Sequence, residues 1–471
     1  MNWQLNKESI EPLYQQLINE IKTKIKLGQL SPGERLPSDR KLAQILQVNR
    51  STVIRSYDEL TAEGLLSRKR GSGTTVSYEA QLIASKGVNW KNYLSSDNTP
   101  TTSYKNELMK QLSNNQEATI DGYTGELPQN LIPSFSLTHL NWHDFLKVSE
   151  ENDKLGILAL RRSLVSLIKE QLGYLMSINE VLLTAGGQQS LFFIMKALLK
   201  SGETVAIESP SYFYSLPMFE NSGIKTVNIP LDDEGISVEY LEKMLVYNKI
   251  KMLFVTPTFQ NPTTISMSLE RRKALIALCE KNQIVIVEDD VYSLLAYQPK
   301  KIPTLKELAP ESVIYLGSLT KVLGKTIQLG WINAPRDVLE AFIKVREDWD
   351  QELSVFPQMI VKQWMEEYEV AGLLNELRSR LLEKMTYFYS LVCAELSDLY
   401  ECKMPQGGYY IWLTHKKKSL TIASWEVLLT HHILVFPSFF ISDSAQSIRI
   451  NVANLTNEQL LTLVNYLKKI R

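Results

Sequence analysis

Residues 312–331 read SVIYLGSLTKVLGKTIQLGW. An apolar run, Val313–Leu316, stops at Gly317, and Ser318, Thr320 and Lys321 follow at once. Short apolar runs bounded by turn residues mark buried strands. A lysine just past such a strand, among hydroxyls, is suited to hold a phosphorylated carbonyl compound covalently. The same pattern recurs upstream in EVLLTAG (180–186), TVAIES (204–209), IKMLFVTP (250–257) and QIVIVEDD (283–290). Helical stretches such as GQQSLFFIMKALLKSG (187–202) and SLERRKALIALCEKN (268–282) separate these runs. The alternation predicts an α/β domain with a mainly parallel sheet. Ligands of such sheets lie beyond the carboxyl ends of the strands.

The chemically capable residues fall at those ends. Gly186 and Gly187 open a helix whose N-terminus can receive an anion, although any strand-to-helix turn needs glycine. Tyr212, in ESPSYFY, is placed to stack on a planar ring or to pack in the core. Asn261, before Pro262, is a turn residue whose amide can reach a ring hydroxyl. VEDDVY (287–292) offers three carboxylates, of which one can pair with a protonated ring nitrogen while others cap or face water. Phosphate cup, stacking ring, amide, acid and amine occur in that order, and together they are what pyridoxal 5'-phosphate requires of a protein.

Residues 1–78 read differently. They hold 12 Lys and Arg against 8 Asp and Glu, a surplus of 4, so the rest of a chain of net charge −1 carries −5. A basic module on an acidic body points to a polyanion for the first part alone. Leu13, Leu17, Ile21 and Ile25 form one helical stripe. Ser38 caps a second helix with Leu42, Ile45 and Leu46 inward, and Asn49 is placed to cap a third with Val53, Tyr57 and Leu60 inward. Two short helices across a three-residue turn make a helix-turn-helix, with Arg50, Ser51 and Thr52 directed at the major groove. LLSRKRGSGTTVS (65–77) then reads as a hairpin wing with Arg68, Lys69 and Arg70 near its tip. This module resembles the winged helix of GntR-type bacterial regulators over its whole length. The resemblance implies DNA contacts at Arg40, Arg50, Ser51, Thr52, Arg70 and Gly71.

Residues 79–115 are rich in Ser, Thr, Asn and Lys without an apolar period and read as a flexible linker, with Trp90 and Tyr93 available to dock. No apolar run is long enough for a membrane span, and MNWQLNKESIEPLYQQ lacks a signal-peptide core. Cys279, Cys393 and Cys402 are widely spaced and read as reduced and buried in a cytoplasmic protein. The five histidines form no metal-ligand spacing.

Residues 116–471 resemble a fold-type I aminotransferase of the pyridoxal-phosphate-dependent class, with further matches in KLGILALRRSLVSLIKEQLG (154–173), MPQGGYYIWL (404–413) and SIRINVA (447–453). A GntR-type winged helix joined to such a domain is the architecture of the MocR subfamily of regulators. The resemblance implies Lys321 as the aldimine lysine and Asp289 as partner of the pyridine nitrogen. It implies Asn261 and Tyr292 at the ring hydroxyl and Tyr212 over the ring. Gly187, Gln188 and Ser318 are implied at the phosphate, and Arg449 at an effector carboxylate. It also implies a head-to-tail homodimer acting on double-stranded operator DNA under a small amino-compound effector.

The chain departs from the family pattern at several places. Lys325 and Gln328 stand where a proline and the phosphate-gripping arginine are usual. Thr264 and Ser438 stand where glycine is usual, and SEENDKLG (149–156) lacks a tyrosine near residue 151. Three functions stay open: a regulator sensing an amine or the cofactor itself, an active aminotransferase with a DNA-binding arm, and a cofactor-free regulator using the domain as scaffold.

Overall fold

The computed structural model describes residues 3, 5–6, 11–26, 28–69, 73–78, 80, 99–114, 119–137, 141–151, 153–298, 302–349, 352–417 and 420–470. They fall into two compact units, Met1–Asn98 and Thr99–Arg471.

The first unit packs helices Leu13–Lys26, Asp39–Leu46 and Arg50–Ala62 with a hairpin of β1 (Leu66–Lys69) and β2 (Gly73–Val76). Leu17, Ile21 and Ile25 meet Leu42, Leu46, Val53, Tyr57 and Leu60 in one core. Ser38 Oγ accepts from Lys41 N at 3.4 Å and caps the second helix. Asn49 occupies the cap position of the third without a side-chain bond. Ile45 departs from expectation and is 51% exposed. At about 100° per residue, Leu42, Ala43 and Leu46 share one arc and Ile45 falls outside it. Arg68 also departs from its expected role at the tip. It is 2.8 Å from Asp39 and bonded to Asp58, so it ties the wing back to the helices.

In the second unit the main sheet has eight strands. They are β4 (Val181–Thr184), β5 (Thr204–Ser209), β6 (Lys225–Asp232), β7 (Gly235–Ile236), β8 (Ile250–Val255), β9 (Val285–Asp289), β10 (Val313–Ser318) and β11 (Gly330–Asn333), in the order β4-β11-β10-β9-β8-β5-β6-β7. From β10 through β9, β8 and β5 to β6 the pairing is parallel, while β11 is antiparallel to both neighbours. Burial on both faces explains the continuous apolar runs seen in the sequence. A smaller lobe carries the antiparallel sheet β12 (Tyr400–Glu401), β13 (Tyr410–His415), β16 (Ser447–Asn451) and β15 (Phe436–Pro437), and a short pair of β3 (Ile120–Asp121) with β14 (Ile433–Leu434).

The expected linker contains structure. Pro100–Asn114 is a helix whose Tyr104 and Leu108 enter the core of the small lobe. Tyr104 meets Phe439 edge-on at 5.2 Å and Phe440 at 6.0 Å. Leu112 packs against the same core, so Tyr104, Leu108 and Leu112 recur at four-residue steps, a helical stripe that the polar composition of the stretch obscured. Trp90, Tyr93 and the rest of 81–98 lie outside the described residues. Of the cysteines, Cys279 is buried, Cys402 half-buried and Cys393 exposed, against the expectation that all are buried. No helix among the described residues is long and apolar enough to cross a membrane.

Leu108→Ala is expected to lower the unfolding free energy of this unit by about 2–4 kcal/mol, the scale of a core truncation. Urea unfolding indistinguishable from wild type would mean that the helix is not part of the folded core.

Candidate functional site

The site forms where β9 and β10 end. β9 finishes on Glu288-Asp289 and Asp290 follows it, and the three carboxylates go to different places. Glu288 is buried, accepts from Leu305 N at 3.0 Å and Lys306 N at 2.9 Å, and lies 3.6 Å from Arg272. Asp290 is buried, bonded to Ser293 and to Tyr315 Oη at 2.9 Å. Asp289 remains partly accessible and has Lys321 as its cationic neighbour. Burial, and then the charge of Asp290, push its carboxyl up to about 7, with Lys321 opposing. The structure thus selects Asp289 as the one acid of the three left without a structural partner.

β10 leads into the short helix Thr320–Leu323. Lys321 Nζ donates to Gly125 O at 3.0 Å and lies 5.7 Å from the centre of the Tyr292 ring. Among the described residues no carboxylate is within ion-pair distance of Nζ. Tyr409 Oη also reaches Gly125 O, at 3.1 Å. Tyr292 is buried and packs edge-on against Tyr409 and Tyr410, each at 5.8 Å.

At the other end, Gly186 takes φ +86° and starts the helix Gly187–Leu198. A methyl group at Gly187 would meet nothing within 4 Å, so the space before this helix N-terminus is open. Thr320 Oγ1 is buried without a hydrogen-bond partner, and it is the nearest atom, 3.9 Å away, to a methyl group placed on Gly186. Ser318 is buried and accepts from Thr320 N at 3.1 Å. An open helix N-terminus beside an unsatisfied hydroxyl fits a phosphate. With a free amine and an accessible acid nearby, the donor set fits pyridoxal phosphate.

Tyr212 follows β5. Its hydroxyl is met by Gln188 Nε2 at 3.3 Å, and its N–H bonds Asn261 O at 3.1 Å. Gln188 therefore spends its side chain on Tyr212, leaving its backbone for an anion. Asn261 Oδ1 accepts from Arg449 Nη1 at 2.8 Å, which leaves Nδ2 as its donor. The Asn261 loop is braced from below: Gln260 Nε2 donates to Glu208 Oε2 at 3.2 Å and to Pro210 O at 2.9 Å. Arg449 also donates to Tyr123 O at 3.2 Å, and its guanidinium lies between the rings of Tyr410 (4.1 Å) and Phe436 (4.2 Å). Its Nε is buried and unpartnered. A separate cleft of about 730 Å³, lined in part by Ser209, Thr263, Trp412 and Ser447, lies between the main sheet and the small lobe and is not lined by Arg449, Asn261 or Lys321.

The departures take definite form. Lys325 is exposed and lies 3.3 Å from Glu126. Gln328 is exposed at φ +39°. Thr264 stands at φ +63°, a left-handed position that a β-branched residue occupies at a cost of about 1–2 kcal/mol. Ser438 is buried and bonds Ser444 O at 2.6 Å. Asn152 lies outside the described residues, so the missing tyrosine near 151 has no structural account. Sequence reading overlooked Gly125, Thr320, Tyr409 and Tyr410 as parts of the site. Thr320 is next to the lysine, and the paired tyrosines of GGYYIW carried a signal, while Gly125 carried none.

In the first unit Arg40, Arg50 and Ser51 are exposed and Thr52 is half-buried, with Arg50, Ser51 and Thr52 on the first turn of the third helix. Arg70 and Gly71 lie outside the described residues.

Sheet order, a lysine beyond β10 and an acid beyond β9 define an aminotransferase-like domain of fold type I behind a winged helix. The family model for aminotransferase class I and II matches residues 143–467, and that for bacterial regulatory proteins of the gntR family matches residues 13–76. The chain belongs to the aminotransferase class I and II family and carries a GntR helix-turn-helix ahead of it, the two-part architecture of MocR-type regulators. It is 30% identical to the uncharacterized HTH-type transcriptional regulator YisV of Bacillus subtilis, over 95% of this chain and 94% of that one. To the HTH-type transcriptional regulator NorG of Staphylococcus aureus (strain USA300) it is 26% identical, over 93% of this chain and 100% of the relative. The multiple substrate aminotransferase of Thermococcus profundus superposes with a TM-score of 0.69 at 22% identity, covering 81% of this chain and 98% of that structure.

Because folding raises the Asp289 pKa, the folded chain keeps a proton that the unfolded chain releases. Its contribution to stability is present below about pH 4 and is lost as pH rises towards about 7. Asp289→Asn is therefore expected to raise the melting temperature of cofactor-free protein more at pH 8 than at pH 5, measured by thermal unfolding at both.

Proposed function

We propose that the chain is a transcriptional regulator that binds a double-stranded operator through its winged helix, holds pyridoxal phosphate in its large unit and answers to a small amino compound. The observation that carries this reading is Lys321: an amine at a strand end, held by a carbonyl oxygen alone, beside an accessible acid and an unsatisfied hydroxyl. Bound there, pyridoxal phosphate supplies a carbonyl carbon that joins reversibly to primary amines, which is a means of detecting them.

Each residue has a defined task in this reading. Lys321 is the resident amine. Asp289 holds the proton on the ring nitrogen, and Asn261 Nδ2 and the Tyr292 hydroxyl meet the ring hydroxyl. Tyr212 covers the ring face. Backbone N–H groups of Gly187 and Gln188, with the hydroxyls of Ser318 and Thr320, hold the phosphate. Arg449 grips the carboxylate of the effector, exchanging its bonds to Asn261 and Tyr123 for a bidentate pair. The effector acts by binding one of two states of the protein more tightly than the other. A cytoplasmic homodimer, head-to-tail, brings two recognition helices to two half-sites. Lys325 paired with Glu126 and neutral Gln328 favour a lightly held cofactor, and so sensing over turnover. The complete set Lys321, Asp289 and Tyr292 supports a second reading, residual transaminase activity, which sustained conversion of an amino donor to its keto acid by pure protein would establish.

Arg50→Ala is expected to abolish operator binding in gel-shift titrations while leaving the visible absorption of the loaded protein unchanged. Lys321→Ala is expected to remove borohydride-stable attachment and the effector response together. A response that survives Lys321→Ala counts against amine exchange as the signal. Gln328→Arg is expected to tighten pyridoxal phosphate by roughly tenfold or more, the scale of one hydrogen bond to a charged group. An unchanged dissociation constant would show that another group already serves the phosphate.

A further inference from the structure

The cleft of about 730 Å³ between the main sheet and the small lobe has no part in the site described above. Its volume is in the range of small-molecule sites. Four carboxylates line it: Asp232 and Asp233 where β6 turns into β7, Glu401 from β12 and Asp443 from the loop before β16. Lys403 is the one cation among the lining residues. Two of the acids are neutralised by the chain itself. Asp232 accepts from Arg271 Nη1 and Nη2, each at 2.9 Å, and Asp233 pairs with Lys403 at 2.6 Å. Asp443 accepts from the neutral Tyr214 hydroxyl at 3.2 Å. Glu401 is exposed, and among the described residues its carboxylate has no hydrogen-bond or ion-pair partner. Glu401 and Asp443 therefore leave the cleft with negative charge that nothing in the chain balances.

The small-lobe wall is a sheet face. Glu401 lies opposite Thr414, and Thr414 opposite Ser447, so the three side chains form one row across β12, β13 and β16. Trp412 stands two residues along β13 on the same face, opposite Arg449. Its side chain is half-buried and has no stacking, cationic or hydrogen-bonding partner among the described residues. The Thr414 and Ser447 hydroxyls, 3.0 Å apart, bond each other and keep lone pairs for a further N–H donor. From the opposite wall Ser209, the last residue of β5, adds another hydroxyl.

We propose that this cleft is a second small-molecule site and that its ligand is an aliphatic polyamine. The surplus of negative charge excludes anions. The spread of the acids excludes a metal ion: among the described residues no three His, Cys, Asp or Glu side chains are grouped to hold one. The cation that fits is extended, with its charges apart and apolar carbon between them. Ammonium groups at Glu401 and Asp443 leave the methylene chain to lie on the Trp412 ring, whose face also attracts cationic nitrogen. Lys403 is the chain's own example of the fit, since a primary ammonium on a four-carbon stem is held by Asp233 in the same cleft. Lys321 does not line the cleft, so the inference stands without the cofactor reading.

The test is isothermal titration calorimetry of spermidine into the full-length chain with no pyridoxal phosphate added, so that imine formation takes no part. Wild type is expected to take up one spermidine per chain saturably. n-Butylamine, with a single charge, is expected to bind at least about tenfold more weakly. Glu401→Gln changes an exposed side chain with no partner to lose, and is expected to weaken spermidine by roughly tenfold, the scale of one charged hydrogen bond. Trp412→Leu is expected to weaken it by about fivefold or more. Glu242→Gln, at an exposed acid of the helix Val238–Leu245 that does not line the cleft, is expected to bind as wild type. Absence of saturable heat, or a Glu401→Gln dissociation constant equal to wild type, overturns the assignment. So does an equal loss in Glu242→Gln, or displacement of spermidine by equimolar Mg²⁺, either of which means diffuse counterion attraction. All of these results leave the pyridoxal phosphate reading untouched.

Discussion

A strand that ends on three consecutive acids inside a folded domain must find a partner for each or leave one charged and exposed to the consequences. Here Glu288 is absorbed by Arg272 and by two backbone N–H groups, and Asp290 by Ser293 and Tyr315. Both solutions lock β9 to its neighbours: one draws in the segment at Leu305, the other the adjacent strand β10. Between these fixed flanks Asp289 has Lys321, beyond β10, as its cationic neighbour. The placement of Arg272, deep under the sheet and also bonded to Pro257 O and Pro303 O, is part of the same arrangement. The acid and the amine of the site are thus set by structural residues that never face it.

The fold was readable because β4, β5, β8, β9 and β10 are buried on both faces and appear as unbroken apolar runs. β11 escaped notice because it is only Gly-Trp-Ile-Asn, entered directly from the lysine loop. β6 contains Pro230 and has an irregular burial pattern, so it offers no clean period. The helix Pro100–Asn114 was hidden by composition, since its apolar contacts, Tyr104, Leu108 and Leu112, are spread through a polar stretch. Within the candidate site, residues at strand ends were singled out from their positions in the chain. Gly125, Tyr409 and Tyr410 were not, because they are brought to Lys321 from segments about 90 to 200 residues away. Which of three acids faces a ligand, or whether Arg68 points outward, depends on side-chain direction and partners, and neither is written in local sequence.

Two of the departures from the family pattern, Thr264 and Gln328, both have positive φ. Thr264 keeps the left-handed backbone of a glycine while paying the steric cost of a side chain, and Gln328 keeps a polar side chain without charge. Neither alters the residues next to the amine.

The aromatic contacts of the small lobe have a mechanical reading. Phe436 covers the guanidinium of Arg449 at 4.2 Å, Phe440 meets Phe436 at 5.5 Å, and Tyr104 meets Phe440 at 6.0 Å. Tyr104 belongs to the first helix of the second unit among the described residues. The helix Pro100–Asn114 therefore packs on the same row of rings that backs the Arg449 guanidinium. Phe436 and Phe440 are thus shared supports, so a side chain lost from either removes packing from Arg449 and from that helix together.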